Sequence, residues 1–249
     1  MESFLEKQVQ LLEEGKVYEF AQNIVNRAKR HLAKKEYTEC QNLAMNGILN
    51  LLKRKINESI SELQELLVQA SVTPLNFHLI EEIISLLPED VGIVLMKKIV
   101  KNCNDPNIYE LLAKAMEDQE NIPKAFLYWI GANNFKNLLR TLQILIDRGY
   151  PGEQDLFICR TTLMLLTFKN SGVATHLLSE FKYLESPLLN FSKFLIQAVE
   201  SNERTLFNIL REKYSKWLAR DPKLTKYLIQ VEKVYFSKEQ TNSLLSLLG

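Results

Sequence analysis

Hydrophobic residues recur every three or four positions along nearly the whole chain, and no segment shows the alternation that is typical of a surface strand. Polar residues, glycines and prolines interrupt this pattern and predict helix ends. The interruptions fall near Glu14–Gly15, Lys34–Lys35, Lys55–Asn57, Thr73–Pro74, Pro88–Glu89, Asn104–Pro106, Asn121–Pro123, Asn133–Asn134, Gly149–Gly152, Asn170–Gly172, Ser186–Pro187, Ser201–Asn202 and Asp221–Pro222. They leave about fourteen helices of ordinary length, and the short connections favour antiparallel neighbours.

A weak internal repeat indicates how these helices stack. Ala113, Ala125, Trp129 and Ala132 have the offsets of a tetratricopeptide (TPR) helix pair. Small residues let two helices approach closely, and one pair cannot bury both of its faces, so pairs must stack. The predicted fold is therefore all-α: a right-handed α-solenoid of stacked antiparallel, TPR-like helix pairs. It is expected to form a single domain over residues 1–249, with halves at 1–100 and 101–249, and Trp129 is expected to pack on neighbouring helices.

Charge and cysteine content favour a cytoplasmic protein. The 31 basic and 30 acidic residues nearly cancel, so no global field favours nucleic acid or an anionic membrane. The three cysteines lie far apart without a C-x-x-C pair, which is typical of reduced thiols. The N-terminus lacks the apolar segment of a signal peptide, and the apolar runs are too short to span a bilayer. We expect no direct membrane insertion.

Motifs that carry catalysis are missing. No G-x-x-x-x-G-K, G-x-G-x-x-G or G-x-S-x-G sequence occurs, so no phosphate-binding loop or nucleophile elbow is predicted. His78 and Glu81 lie three residues apart on one predicted helix, but they lack the partners that a zinc or di-metal site requires. The sequence predicts a non-enzymatic protein without a catalytic site, metal or cofactor.

Charges are segregated along the first hundred residues. Arg27, Arg30, His31 and Lys34 follow i, i+3, i+4, i+7 spacing, so they share one face of the second helix. The following stretch, residues 57–96, contains no lysine or arginine but several acids. A solvated helix face is one interpretation of the basic stripe. Adjacent blocks of opposite sign favour the other, a protein-docking surface. RNA binding ranks well behind protein docking, because Tyr37 is the one aromatic residue close to the stripe and the acidic block would repel phosphates.

The C-terminal third is rich in aromatic residues and also has two interpretations. Aromatic side chains at helical spacing usually form a core. They can instead line a groove for a partner helix, since the helices are apolar over more than one face and the terminal "NSLLSLLG" offers further leucines. The candidate groove residues are Phe191, Phe194, Phe207, Tyr214, Trp217, Tyr227 and Phe236.

Several segments in a fixed order carry a family resemblance. They are "GKVYEFAQNIVNRAKRHLAKKEYTECQNLAMNG", "DPNIYELLA", "AFLYWI", "RGYPGEQDLF", "TFKNSG", "PLLNF", "RDPKLTKYL" and the closing "LLSLLG". Together they resemble subunit four of the guided-entry-of-tail-anchored-proteins (GET) complex, the Golgi-to-ER traffic protein four family. The match runs from residue 4 to the end, although each segment alone is weak.

The resemblance implies an adaptor in the delivery of tail-anchored membrane proteins to the endoplasmic reticulum. Its N-terminal half would dock a homodimeric, nucleotide-bound targeting ATPase through basic residues of the first helices. Arg30 falls on such a position. The implied docking residues are Lys7, Arg27, Arg30, His31 and Lys34. The family also places an acidic residue that tunes ATP hydrolysis near the start of the fourth helix, and Glu62 occupies that place.

One departure concerns the second partner of the family, a subunit with a ubiquitin-like domain. Family members commonly carry a β-hairpin insertion before "PLLNF" that helps to clamp this subunit. Here the short segment 181–191 leaves no room for a hairpin, which predicts a reduced surface or the loss of this partner. The alternatives are another helical-repeat adaptor, such as a vesicle-coat or proteasome-lid-like subunit, and then an RNA-binding repeat.

Overall fold

The computed structural model describes residues 2–57 and 59–236, with side chains from Phe4 onward, and all regular structure in these ranges is helical. The chain divides into two compact units, one reaching Leu112 and one beginning at Ala113. The first unit contains six helices and the start of a seventh: α1 (Glu2–Glu13), α2 (Val17–Ala33), α3 (Tyr37–Lys53), α4 (Ile60–Ala70), α5 (Phe77–Leu86), α6 (Glu89–Ile99) and α7 (Pro106–Asp118). The prediction of one domain with halves meeting near residue 100 is not tested by this division.

The second unit continues from α7 with shorter connections. Its remaining helices are α8 (Ile122–Gly131), α9 (Phe135–Asp147), α10 (Gln154–Thr167), α11 (Ser171–Glu180), α12 (Pro187–Glu200), α13 (Arg204–Lys213), α14 (Ser215–Leu218) and α15 (Pro222–Phe236). The predicted interruptions all separate two helices. Within the described ranges the number of helices exceeds the predicted fourteen by one, because the chain also breaks at Tyr214, where no glycine or proline marks the end of α13.

Local sequence explains several helix ends. Asn76, Asn121, Asn134, Asn170 and Ser186 precede helices, and each side-chain oxygen accepts a hydrogen bond from a backbone N–H of the first turn. At other ends the backbone enters the left-handed region, as at Gly15 (φ 78°). Only glycine adopts this conformation without strain, which explains the sharp turn between α1 and α2.

Each unit is built around one helix that is covered on several sides. In the first unit α3 packs against α2, α4 and α5. Gly47 of α3 leaves just enough space for Ile24 and Leu63, since a Cβ there would lie 3.0 Å from a methyl carbon of each. In the second unit α10 packs against α11, α12 and α15. Most of α10 is buried, including Thr161, Thr162 and Thr167, so this helix lacks the broad exposed polar face of a surface helix.

The expectation for Trp129 is confirmed. Its ring on α8 is 1% exposed, and its Nε1–H donates a 2.7 Å hydrogen bond to Glu117 Oε1 on α7. Arg140 of α9 contacts the same carboxylate, at 2.6 Å. The Glu117 carboxylate therefore connects α7 to α8 and α9, and the Trp129 ring is buried in the core, where a ligand cannot reach it.

Candidate functional site

An open groove of about 520 Å³ lies between α1 and α2 and collects most of the predicted docking residues. We call it the basic groove. Its lining consists of Phe4 and Gln8 from α1 and, from α2, Asn23, Asn26, Arg27, Arg30, His31 and Lys34. The groove exists because Phe20, Ile24 and Ala28 on the opposite face of α2 are buried in the core, which turns the basic stripe away from it.

Two contacts between α1 and α2 order this groove. The guanidinium carbon of Arg27 lies 4.1 Å from the centroid of the Phe4 ring, a cation–π distance. Asn23 Nδ2 donates a 2.9 Å hydrogen bond to Gln8 Oε1. The first contact restricts the Arg27 side chain, which also lines the groove, and the second ties α1 to α2.

The cations of the groove differ in how far they are neutralised. Arg30 and Lys34 are exposed, and within the described residues neither forms an ion pair. His31 is half-buried, and its Nδ1 lies 2.6 Å from Glu36 Oε2. Lys7 is exposed on α1 but does not line the groove. The strongest unpaired positive charge is therefore carried by Arg30 and Lys34, near the C-terminal end of α2.

Glu62 lies next to the docking helix and is already paired. It occupies the first turn of α4, where a negative charge is favourable. Its Oε1 lies 2.7 Å from Lys29 Nζ of α2, and both side chains are substantially exposed. The two residues border a shallow groove of about 400 Å³ with Leu32, Ala33 and Leu66 among its lining residues. Glu62 is thus connected to α2 by one exposed ion pair.

The C-terminal aromatic residues do not form the single open groove that the sequence suggested. Phe191 and Phe207 are fully buried, and Tyr227 is 7% exposed. These three residues are core residues, and their assignment to an open surface needs correction, because helical spacing does not reveal which face a neighbouring helix covers.

The other candidates lie nearer the surface. Phe194 is 46% exposed on α12, while Tyr214, Trp217 and Phe236 are partly covered. The Tyr214 ring lies 5.4 Å from that of Phe191 and 5.8 Å from that of Trp217. Phe194 is therefore the candidate best placed to meet a partner. The "NSLLSLLG" segment lies outside the described residues.

An ionic cluster around the buried Asp155 in the second unit was not predicted. Arg220 Nη1 and Ser186 Oγ both donate hydrogen bonds to Asp155 Oδ2, at 2.7 and 2.6 Å. Arg160 Nε donates to Asp221 Oδ2 at 3.0 Å. We call these five residues the ionic cluster. They connect α10 to the starts of α12 and α15, and Asp155 lies 31 residues from Ser186 and 65 from Arg220.

The sequence did contain an indirect signal for this cluster. Asp155 belongs to "RGYPGEQDLF", Ser186 directly precedes "PLLNF", and Arg220 and Asp221 begin "RDPKLTKYL". Three of the segments that carried the family resemblance therefore meet at one place.

Comparisons with known proteins decide the family. The family model described as "Golgi to ER traffic protein 4" matches residues 34–249. The chain belongs to this family. Among its relatives, the Golgi to ER traffic protein 4 homolog of Homo sapiens is 26% identical, over 96% of this chain and 81% of the relative. The homolog of Dictyostelium discoideum is 27% identical, over 90% and 79%.

A solved structure supports the fold. The crystal structure of C. therm. Get4 aligns with a TM-score of 0.54 and 18% identity, covering 99% of this chain and 93% of that chain. This likeness confirms the predicted fold class, an all-α solenoid. Membership of the Golgi to ER traffic protein 4 family gives the chain a role in Golgi-to-ER traffic within the GET pathway, together with other GET proteins.

The described residues show no candidate metal site and no reactive thiol among the buried cysteines Cys40 and Cys159. They hold no group of three or more His, Cys, Asp or Glu side chains that is suited to a metal ion, and His78 is exposed. Burial raises the pKa of the Cys40 thiol to about 11 and that of Cys159 to about 12, so neither is a thiolate near neutral pH. Among the helices described, none has the length and apolar character needed to cross a bilayer.

Proposed function

We propose that this chain is a non-enzymatic, cytoplasmic adaptor that docks the homodimeric ATPase of tail-anchored protein targeting on its basic groove. The observation that carries the proposal is the convergence of Arg27, Arg30, His31 and Lys34 on one open groove. Its opening suits a protein surface better than a small molecule. Lys7, exposed on the neighbouring helix α1, would contribute at the margin.

The charge pattern indicates how the partner is recognised. An acidic helix or loop of the ATPase would place carboxylates against Arg30 and Lys34, which have no competing ion pair within the described residues. Such exposed charges accelerate association and fix orientation. A complex that favours the nucleotide-bound form of the ATPase would shift the ATPase population toward that form, which prepares it to receive a client.

The second unit would hold another subunit of the same pathway. The resemblance suggests a partner with a ubiquitin-like domain, and the exposed Phe194 on α12 supports a contact there. Since Phe191, Phe207 and Tyr227 are buried, the apolar surface left for this partner is smaller than the sequence suggested. We therefore propose a weaker second contact than the one on the basic groove.

The test is the affinity for the purified targeting ATPase of the same organism, measured with ATP and Mg²⁺ at 50 and 300 mM NaCl. Arg30→Glu should weaken binding at least tenfold at low salt, about 1.4 kcal/mol. Lys34→Glu should act in the same direction. The difference from the unchanged protein should shrink at 300 mM, since salt screens exposed charges.

A matched control is Lys136→Glu on α9, which reverses an exposed charge in the second unit. It should leave the affinity within about twofold. If Arg30→Glu bound the ATPase as tightly as the unchanged protein, the basic groove would not be the docking site. Failure of the unchanged protein to bind the ATPase would favour another helical-repeat adaptor. Binding to RNA that falls steeply with salt would favour the nucleic-acid alternative.

A further inference from the structure

A third groove lies between α4 and α6, apart from the residues assigned to ATPase docking. It encloses about 300 Å³. Its apolar lining comprises Val68 of α4 and Val91, Val94 and Leu95 of α6. We call it the α4–α6 groove.

Two valines of α6 in this groove, Val91 and Val94, have side chains that are substantially exposed to solvent. Val91 is 36% exposed and Val94 53%, and they lie one turn apart on the same face of α6. Leu95 beside them is buried, so it forms the floor. Two β-branched side chains on successive turns, above an apolar floor, present a continuous apolar strip rather than scattered surface residues.

Gln64 adds a polar observation in the same place. It lines the groove on α4, and its Nε2 is covered yet has no hydrogen-bond partner among the described residues. A covered amide N–H without an acceptor is unfavourable, because it has lost its hydrogen bonds to water without replacing them. Rotation of the amide toward the groove would let a carbonyl or carboxylate of a bound segment accept this hydrogen bond.

The rim of the groove is mostly acidic. Glu65 of α4 and Asp90 in the first turn of α6 both line it and are exposed. Across residues 59–96 there is no lysine or arginine to offset them. Lys98 lines the other end of the groove. Near that end, Asn102 Nδ2 donates a 2.8 Å hydrogen bond to the backbone carbonyl of Val68.

We infer that the α4–α6 groove binds a short amphipathic helix of another protein, whose apolar stripe is flanked by lysine or arginine. Leucine- or valine-sized side chains at i and i+4 would fill the strip over Val91 and Val94, and the basic flanks would meet Glu65 and Asp90. A second copy of this chain is disfavoured, because a two-fold contact would place the same acidic rims against each other. An anionic membrane is disfavoured for the same reason.

The test uses a phage-displayed library of helical 18-residue peptides with one randomised face, selected on the full-length chain. Selected sequences should be enriched in Lys or Arg beside aliphatic residues at i and i+4. Two of them, made as labelled synthetic peptides, should bind in fluorescence anisotropy at least tenfold more weakly to Val94→Glu. The double variant Glu65→Gln/Asp90→Asn should weaken them about threefold to tenfold and reduce the salt dependence.

Ile209→Glu is the matched control, because Ile209 is also 53% exposed but lies on α13 of the other unit. It should bind the peptides like the unchanged protein, and circular dichroism should confirm that both variants fold. The inference would be overturned by any of three results. These are peptides that bind Val94→Glu as well as the unchanged protein, selected sequences rich in acidic residues, and a dimer of the unchanged protein that Val94→Glu converts to monomer. Arg30→Glu should bind the peptides normally, so failure of the ATPase proposal remains distinguishable from failure of this one.

Discussion

The basic groove of the first unit and the ionic cluster of the second both contain charged side chains, but in the groove these face solvent and in the cluster they connect helices. In the groove, Arg30 and Lys34 are exposed and lack ion-pair partners within the described residues. In the cluster, Asp155 is 8% exposed and receives hydrogen bonds from Arg220 and Ser186. Unpaired exposed charges are available to another protein, whereas arginines paired with a largely covered carboxylate hold helices together. The comparison separates residues that should affect binding from residues that should affect stability.

The largest expected effect is at the ionic cluster. Asp155→Ala should lower the free energy of unfolding by about 2 to 3 kcal/mol, because it leaves the buried Ser186 hydroxyl without its acceptor and the partly exposed Arg220 without its ion pair. Denaturant unfolding followed by circular dichroism measures this change. Asp147→Ala is the control, since Asp147 is exposed and bonds Gln143 on the same helix; it should change stability by less than about 0.5 kcal/mol. A loss below 1 kcal/mol for Asp155→Ala would contradict the structural role of the cluster.

The second prediction concerns the alkaline stability of the same unit. Burial raises the pKa of the Cys159 thiol to about 12, whereas an unfolded thiol titrates near pH 8.5. The folded state therefore retains the proton longer, and the resulting stability is complete below pH 8.5 and is lost as pH rises toward 12. Between pH 7.5 and 10 the unchanged protein should lose about 1.5 to 2 kcal/mol more than Cys159→Ala.

Urea unfolding under reducing conditions at the two pH values measures this difference. Cys103→Ala serves as the comparison in the first unit, because burial also raises the pKa of Cys103 but its side chain is only partly covered. Its effect on the pH dependence should be smaller. Parallel loss of stability in Cys159→Ala and the unchanged protein would show that this thiol does not contribute.

A third, smaller effect tests the order of the basic groove. Phe4→Leu keeps an apolar side chain on α1 but removes the ring beneath Arg27. A cation–π contact of this kind is worth about 1 kcal/mol, so ATPase binding should weaken about threefold to tenfold. Phe135→Leu, which removes a ring stacked 4.1 Å from His176 in the second unit, should leave the affinity unchanged. If Phe4→Leu bound the ATPase as tightly as the unchanged protein, the contact of Phe4 with Arg27 would not be needed to order Arg27 for docking.

Most of the fold was predictable because local signals mark helix ends. Asn121, Asn134 and Asn170 were identified as interruptions, and each caps a helix as its chemistry favours. The break at Tyr214 was missed, since "REKYSKWL" contains no such signal. The amphipathic stripe of α2 also placed Arg27, Arg30, His31 and Lys34 on one face before the groove was visible.

Contacts between distant segments were not predictable from one sequence. Nothing in the spacing of Asp155 and Arg220, 65 residues apart, indicates that they meet. The same limit applies to Phe191 and Phe207, because periodicity identifies an apolar face but not the helix that covers it. The pairing of Lys29 with Glu62, across 33 residues, was missed for the same reason.

That pair provides the smallest predicted effect and sharpens the comparison of exposed with buried charges. Lys29 Nζ and Glu62 Oε1 are 2.7 Å apart, yet the side chains are 54% and 40% exposed. A double-mutant cycle on unfolding, with Lys29→Gln and Glu62→Gln, should give a coupling below about 1 kcal/mol. The corresponding cycle with Asp155→Asn and Arg220→Gln should give a larger coupling, because Asp155 is buried. A coupling above about 2 kcal/mol for Lys29 and Glu62 would make Glu62 a structural residue, whereas a small one leaves its carboxylate free to exchange Lys29 for a cation of the docked ATPase.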